Sequence, residues 1–160
     1  MITNQVRDKA LDLAIECIEA IKDVFGSNGD VMDGFKTRCR HEIANLYYNG
    51  ITYTLSFILS KSSDKGMTGF EKLNHALSND PLRDIFKKVS GNVSKEAYEL
   101  YGICLVRALK ELGVITKANN VIDVLGQLND VNAEVLADDK LLMFAEWLKR
   151  LAEATIRSRG

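Results

Sequence analysis

A single proline, Pro81, interrupts this 160-residue chain, so long helices are permitted almost everywhere. Histidines number two and cysteines three, and none stands in metal-ligand spacing. His41 and His75 are far apart and read as solitary surface histidines. Cys17, Cys39 and Cys104 fall inside helical patterns and read as buried thiols of a reducing compartment. No G-x-S-x-G elbow is present and no glycine-rich phosphate loop follows a strand. Catalytic residues, metal ligands and cofactors are therefore assigned to none of the chain, and no small-molecule substrate is expected. No run is long and apolar enough to cross a bilayer, so no membrane partner is expected. Residues 1–25 lack the apolar core and small-residue cleavage site of a signal peptide, and the reading is cytoplasmic. Hairpin turns are missing as well, since Asn49-Gly50 lies inside a helical pattern.

What remains is ordinary globular composition, 46% hydrophobic and 27% charged, in a length that suits one domain. Residues 4–25 carry apolar side chains at three- and four-residue steps, with Thr3 or Asn4 as cap. Residues 26–30 read as a loop. A second helix is predicted from about Phe35 to Ser60, kinked at Gly50. Thr68 and Glu71 have capping-box spacing, Asp80-Pro81 reads as a cap with proline in the first turn, and Ser94 as the cap of the next helix. That helix stops at Gly113. Residues 117–128 form another, and Asp138 or Asp139 opens a last one reaching about Arg157. Trp147 reads as a core or interface anchor. The expected fold is all-α: a compact single-domain bundle of about six or seven helices over residues 1–160.

The formal net charge of −1 conceals segregation. Residues 1–34 hold three basic and seven acidic side chains, and residues 119–139 hold five acidic and no basic ones. Residues 35–66 and 140–160 each hold five basic and two acidic. Such blocks allow a basic face on a near-neutral protein. Two clusters stand out. Lys36, Arg38, Arg40 and His41 open the second helix, followed by Asn45 and Asn49. Cations near a helix start oppose its dipole, and an anionic partner would relieve that cost. Arginine forks suit phosphates, and amides suit sugar or base edges. The plainer reading is a solvated face with an Arg38–Glu42 pair. The second cluster is Lys149, Arg150, Arg157 and Arg159. Glu146–Arg150 and Glu153–Arg157 have the spacing of ordinary surface pairs there.

These residues also carry a family resemblance. Phe35-x-Thr37-x-Cys39-Arg40, Leu46-x-x-Asn49-Gly50-Ile51-x-x-Thr54-Leu55-Ser56-Phe57 and Ser60-Lys61 resemble the signature of the small α-helical subunit of the Cmr complex, the type III-B CRISPR RNA-silencing effector. A second block, Ala145-Glu146-Trp147-Leu148-Lys149-Arg150-Leu151-Ala152-Glu153-Ala154, resembles the family's C-terminal helix. One departure is that Glu42-Ile43 stands where the family commonly has Leu-Pro, so the helix can run unbroken there. The resemblance implies a non-catalytic subunit whose copies stack with one another and with other Cmr subunits around guide and target RNA. It favours phosphate contact by Lys36, Arg38 and Arg40, and the candidate RNA-binding residues are Lys36, Arg38, Arg40, His41, Asn45, Asn49, Lys61, Lys149, Arg150 and Arg157. Without the resemblance, the same residues suit a helical protein–protein adaptor that touches no nucleic acid.

Overall fold

A computed structural model describes residues 8–63 and 66–157. Seven α-helices account for most of them, and none of the described residues forms a strand. The helices are α1 (Lys9–Phe25), α2 (Gly29–Lys61), α3 (Gly69–Asn74), α4 (Leu82–Val89), α5 (Tyr98–Glu111), α6 (Val121–Leu128) and α7 (Val131–Thr155). Short 3-10 turns follow α3 and α4.

α5 is the axis of the bundle. Every side chain from Glu99 to Leu109 is buried, as expected for a helix covered on all sides. α1, α2, α3 and α7 pack around it. Gly102 permits the closest of these approaches, because a Cβ there would lie 2.6 Å from Leu73 Cδ2 and 2.9 Å from Ile58 Cγ2. Buried Arg107 ties α5 to the loop before α4, donating to the carbonyls of Ala76, Ser78 and Asp80 at 3.0, 3.1 and 2.8 Å. The three cysteines are all buried. Burial, and then the neighbouring Cys104 thiol, push the Cys17 thiol well up, and burial does the same to Cys39.

α2 and α7 run antiparallel, and the predicted break in α2 is real. Gly50 has φ 83° and ψ 170°, a conformation that L side chains avoid. The break orphans backbone donors in mid-helix, and α7 satisfies one of them. Asp138 accepts from the Ile51 N–H at 2.8 Å, and Glu134 accepts from the Thr52 hydroxyl at 2.6 Å. A Cβ on Gly50 would stand 3.3 Å from both Asp138 carboxylate oxygens, so glycine also makes room for the cap. Upstream, the helix passes unbroken through Glu42-Ile43.

Several predicted boundaries move. α2 starts six residues before Phe35, because Asn28 caps it by accepting from Val31 N–H at 3.2 Å and glycines occupy its early turns. α7 starts at Val131, with Asp130 accepting from Ala133 N–H at 3.1 Å. Exposed Val131 and Val135 hide its first turns from an amphipathic reading. Asp138 therefore caps the second half of α2, not its own helix. Ser94 does not cap α5, since its N–H and hydroxyl both go to Glu99 at 3.1 and 3.2 Å, and Ala97 enters the helix from φ 57°. Pro81 stands one place earlier than predicted, in the cap position, and the Asp80 carboxylate goes to Lys88 at 2.8 Å. α6 is shorter than 117–128, with Asn120 as its cap. The Thr68–Glu71 capping box forms as expected. α1 starts at Lys9 with Asp8 as cap, and the caps predicted at Thr3 or Asn4 lie outside the described residues.

Four outcomes follow. Asp138→Ala should lower the unfolding free energy by about 1–2 kcal/mol in urea titrations, the usual cost of a lost helix cap. Desolvation raises the Asp138 carboxyl above its ordinary 3.8, with Glu134 and Asp139 adding to the shift and the Ile51 N–H opposing it. The native state then takes up that proton before the unfolded chain does. Stability relative to Asp138→Asn should consequently rise as pH falls from the raised native value toward 3.8. Asp80, held low chiefly by Lys88, has the opposite sign, and its contribution disappears as pH drops below 3.8. Finally, native protein should leave all three thiols unmodified by a thiol reagent over the time in which urea-unfolded protein reacts fully.

Candidate nucleic-acid interface

Each helix ends in backbone carbonyls without intrahelical partners, and four carbonyls at such ends here accept from lysines of other helices. Lys36, only 7% exposed, turns its Nζ inward to the Ile156 carbonyl at 3.0 Å, at the C-terminus of α7. Lys22 joins it on the Thr155 carbonyl at 3.1 Å. Fully buried Lys72 donates to the Ser62 carbonyl at 2.7 Å, closing α2, and to Glu99 at 3.1 Å. Lys140 reaches the Leu112 carbonyl at the end of α5 at 3.1 Å.

The predicted cations divide accordingly. Lys36 is corrected from a surface group to a buried cap, because the end of α7 requires a donor there. Arg38 is largely covered, pairing with Glu42 at 3.3 Å and stacking its guanidinium 4.3 Å from the Tyr98 ring centre. Asn45 donates to Glu42 at 2.8 Å and Asn49 to Asn45 at 3.4 Å, so the face carrying 38, 42, 45 and 49 forms an internal polar ladder. Arg40 and His41 point outward. Lys61 is exposed at the far end of α2, 5.6 Å from the Phe57 ring centre.

α7 brings the second cluster to the first. Arg40 and Glu153 meet at 3.0 Å across 113 residues, joining the first cluster to α7 at an α2–α7 seam. Lys149 and Arg157 stand four residues to either side of Glu153 in the chain, and the Arg150 guanidinium lies 5.9 Å from the Trp147 ring centre. The stretch 146–157 carries three permanent cations, Lys149, Arg150 and Arg157, and two carboxylates, Glu146 and Glu153. Arg150 takes Glu146 at 3.5 Å, as its spacing predicts. Arg157 has no such pair with Glu153, because Ile156 leaves the helix with φ −102° and ψ 116° and the four-residue geometry is lost. Neither Lys149 nor Arg157 has a carboxylate partner among the described residues, and Arg159 lies outside them. Trp147 is half-buried and donates its indole N–H to Asp8 at 3.0 Å, anchoring α7 to the start of α1. No local pattern in the sequence announces the Arg40–Glu153 contact, since its partners come from the two ends of the chain.

No group of three or more His, Cys, Asp or Glu is placed to hold a metal ion among the described residues. Nor is any helix among them long and apolar enough to cross a membrane. Acidic side chains also line an open groove of about 640 Å³ between α1 and α4, where Glu16, Glu19 and Asp23 stand with Lys22 and Arg83.

Fold and surface together define an all-helical protein with exposed cations at the contact of its two longest helices. Its family is that of the CRISPR-associated protein Cas_Cmr5, whose sequence profile matches residues 7–155, and the chain belongs to it. It is 28% identical, over 99% of its own length and 100% of the relative's, to the CRISPR system CMR subunit Cmr5 of Saccharolobus solfataricus (strain P2). Among solved structures, its fold matches a chain of the type III-B Cmr-beta complex bound to non-cognate target RNA, with a TM-score of 0.67 at 22% identity, covering 96% of this chain and 100% of that one. A chain of the same complex bound to cognate target RNA and AMPPnP matches with a TM-score of 0.66 at 20% identity and the same coverage.

The two classes of cation differ in what their removal costs. Lys36→Met should destabilise the protein by about 1–3 kcal/mol, because it strips a buried carbonyl of a charged donor. Arg40→Met should stay within about 1 kcal/mol, the range of an exposed ion pair. Paired urea titrations measure both.

Proposed function

We propose that this protein is a non-catalytic small subunit of a type III-B CRISPR effector complex in the cytoplasm. It stacks with further copies of itself and with other subunits, and its basic seam helps to hold guide and target RNA. Family membership and the fold shared with chains of RNA-bound Cmr-beta complexes support the setting. The observation that carries the RNA contact is the Arg40–Glu153 meeting, which brings an exposed cation of α2 to the stretch of chain that holds Lys149, Arg150 and Arg157. Each phosphate contact releases counterions, so single-copy binding is weak and salt-sensitive, while repetition along a strand multiplies it. His41 and Lys61 extend the same surface, and Arg38, Asn45 and Asn49 position it.

A second reading, an adaptor that docks proteins without touching RNA, is favoured by the exposed apolar side chains Ile122, Val131, Val135 and Leu136 set among Asp123, Asp130, Glu134 and Asp139. A stacked subunit needs such a docking surface as well, so this feature fits both readings.

Target-RNA capture by the reconstituted complex separates them. Replacing Arg40, Lys149 and Arg157 together by glutamine should weaken capture at least tenfold in moderate salt and flatten its dependence on salt concentration. Unchanged capture at every salt concentration would leave the adaptor reading in place.

A further inference from the structure

Phosphate contacts along the seam leave three tyrosines beside it without a role. Tyr47, Tyr48 and Tyr53 are 69%, 80% and 56% exposed, on the stretch of α2 that contains the break. The Tyr47 and Tyr48 rings meet edge to face, with centres 5.0 Å apart and planes at 85°. Holding two large rings in solvent leaves apolar area unburied, and the polar hydroxyls explain only their outer ends. Arg40 and His41 stand seven residues before Tyr47 and Tyr48, two turns away on the same face and about 10.5 Å along the axis.

The charge around the rings selects their partner. Residues 43–63 contain no aspartate or glutamate, and Arg40, His41 and Lys61 bracket the tyrosines. The nearby carboxylates Glu134 and Asp138 lie on the α7 side of the break and hold Thr52 and Ile51. A ligand with flat apolar faces and a polyanionic backbone fits this pattern if its charges run on the Arg40 side. Single-stranded RNA is such a ligand, since each base offers a π-face while its phosphate needs a cation. Stacking on tyrosine tolerates any base, which suits a surface that must accept any target sequence.

We infer that Tyr47 and Tyr48 form a stacking platform for unpaired RNA bases, with Tyr53 extending it beyond the break at Gly50. The inference rests on the RNA-holding reading above and adds to it what the seam touches besides phosphate.

The full chain, alone and reconstituted with its partner subunits, is titrated with two fluorescent probes: an oligouridine, and an abasic ribose-phosphate strand of the same length. Tyr47→Ala combined with Tyr48→Ala should weaken oligouridine binding about fivefold or more for each stack lost and leave the abasic strand unaffected. Tyr47→Phe with Tyr48→Phe should bind both probes as wild type does. Both positions are exposed, and circular dichroism verifies that the variants fold. Wild-type affinity of the alanine variant for oligouridine would overturn the platform, as would equal weakening for both probes. An alanine variant that keeps its RNA affinity but drops out of the complex would assign the rings to a protein interface and overturn it too. Wild-type protein that binds neither probe, alone or assembled, would remove the RNA reading itself, an outcome distinct from failure of the stacking alone.

Discussion

The structure depends on charged side chains that close the ends of helices other than their own. A helix end exposes carbonyls or N–H groups that must find partners, and in a tightly packed bundle water reaches few of them. Lys22 and Lys36 close α7, Lys72 closes α2, Lys140 closes α5, and Asp138 caps the restart of α2 after Gly50. Each contact also fixes how two elements sit side by side. The antiparallel register of α2 and α7 is held at one end by Lys36 on Ile156 and nearer the other by Asp138 on Ile51. Buried Lys72 and Glu99 go further, since that pair gathers the end of α2, the side of α3 and Ser94 before α5 into one network. Such a pair specifies an arrangement, and removal of either member would strand a buried charge.

That constraint decides which cations are left to meet a ligand. Charge counted along the sequence treats Lys36 and Arg40 alike, yet one is a buried cap and the other an exposed member of the seam. The surface reading becomes narrower and better defined as a result. Arg40 meets, through Glu153, the stretch of chain that holds Lys149, Arg150 and Arg157, while Glu134 and Asp138 of the acidic block at 119–139 are engaged with Thr52 and Ile51.

Much of this fold is legible in the residues, and the failures have physical causes. The all-helical class, the break at Gly50, the Thr68–Glu71 box and the stop at Gly113 follow from local chemistry that tertiary structure leaves intact. The starts of α2 and α7 are missed because glycines and exposed valines blur the amphipathic signal there. Ser94 and Asp80 are misassigned because stronger long-range or charged partners, Glu99 and Lys88, take their groups. For the candidate site, the Arg38–Glu42 pair is readable at four-residue spacing, and the resemblance in the Asn49-Gly50 and Trp147 blocks points to the family. The burial of Lys36 and the meeting of Arg40 with Glu153 are properties of packing alone, invisible until α2 and α7 are brought together.

The division between capping lysines and ligand-facing cations is the central claim, and amine footprinting of the assembled complex by mass spectrometry addresses it most directly. With an acylating reagent, Lys36 and Lys72 should remain unlabelled with or without target RNA, while Lys149 and Lys61 label readily and become protected when RNA is bound. Ready labelling of Lys36, together with labelling of Lys149 that RNA does not change, would contradict the account.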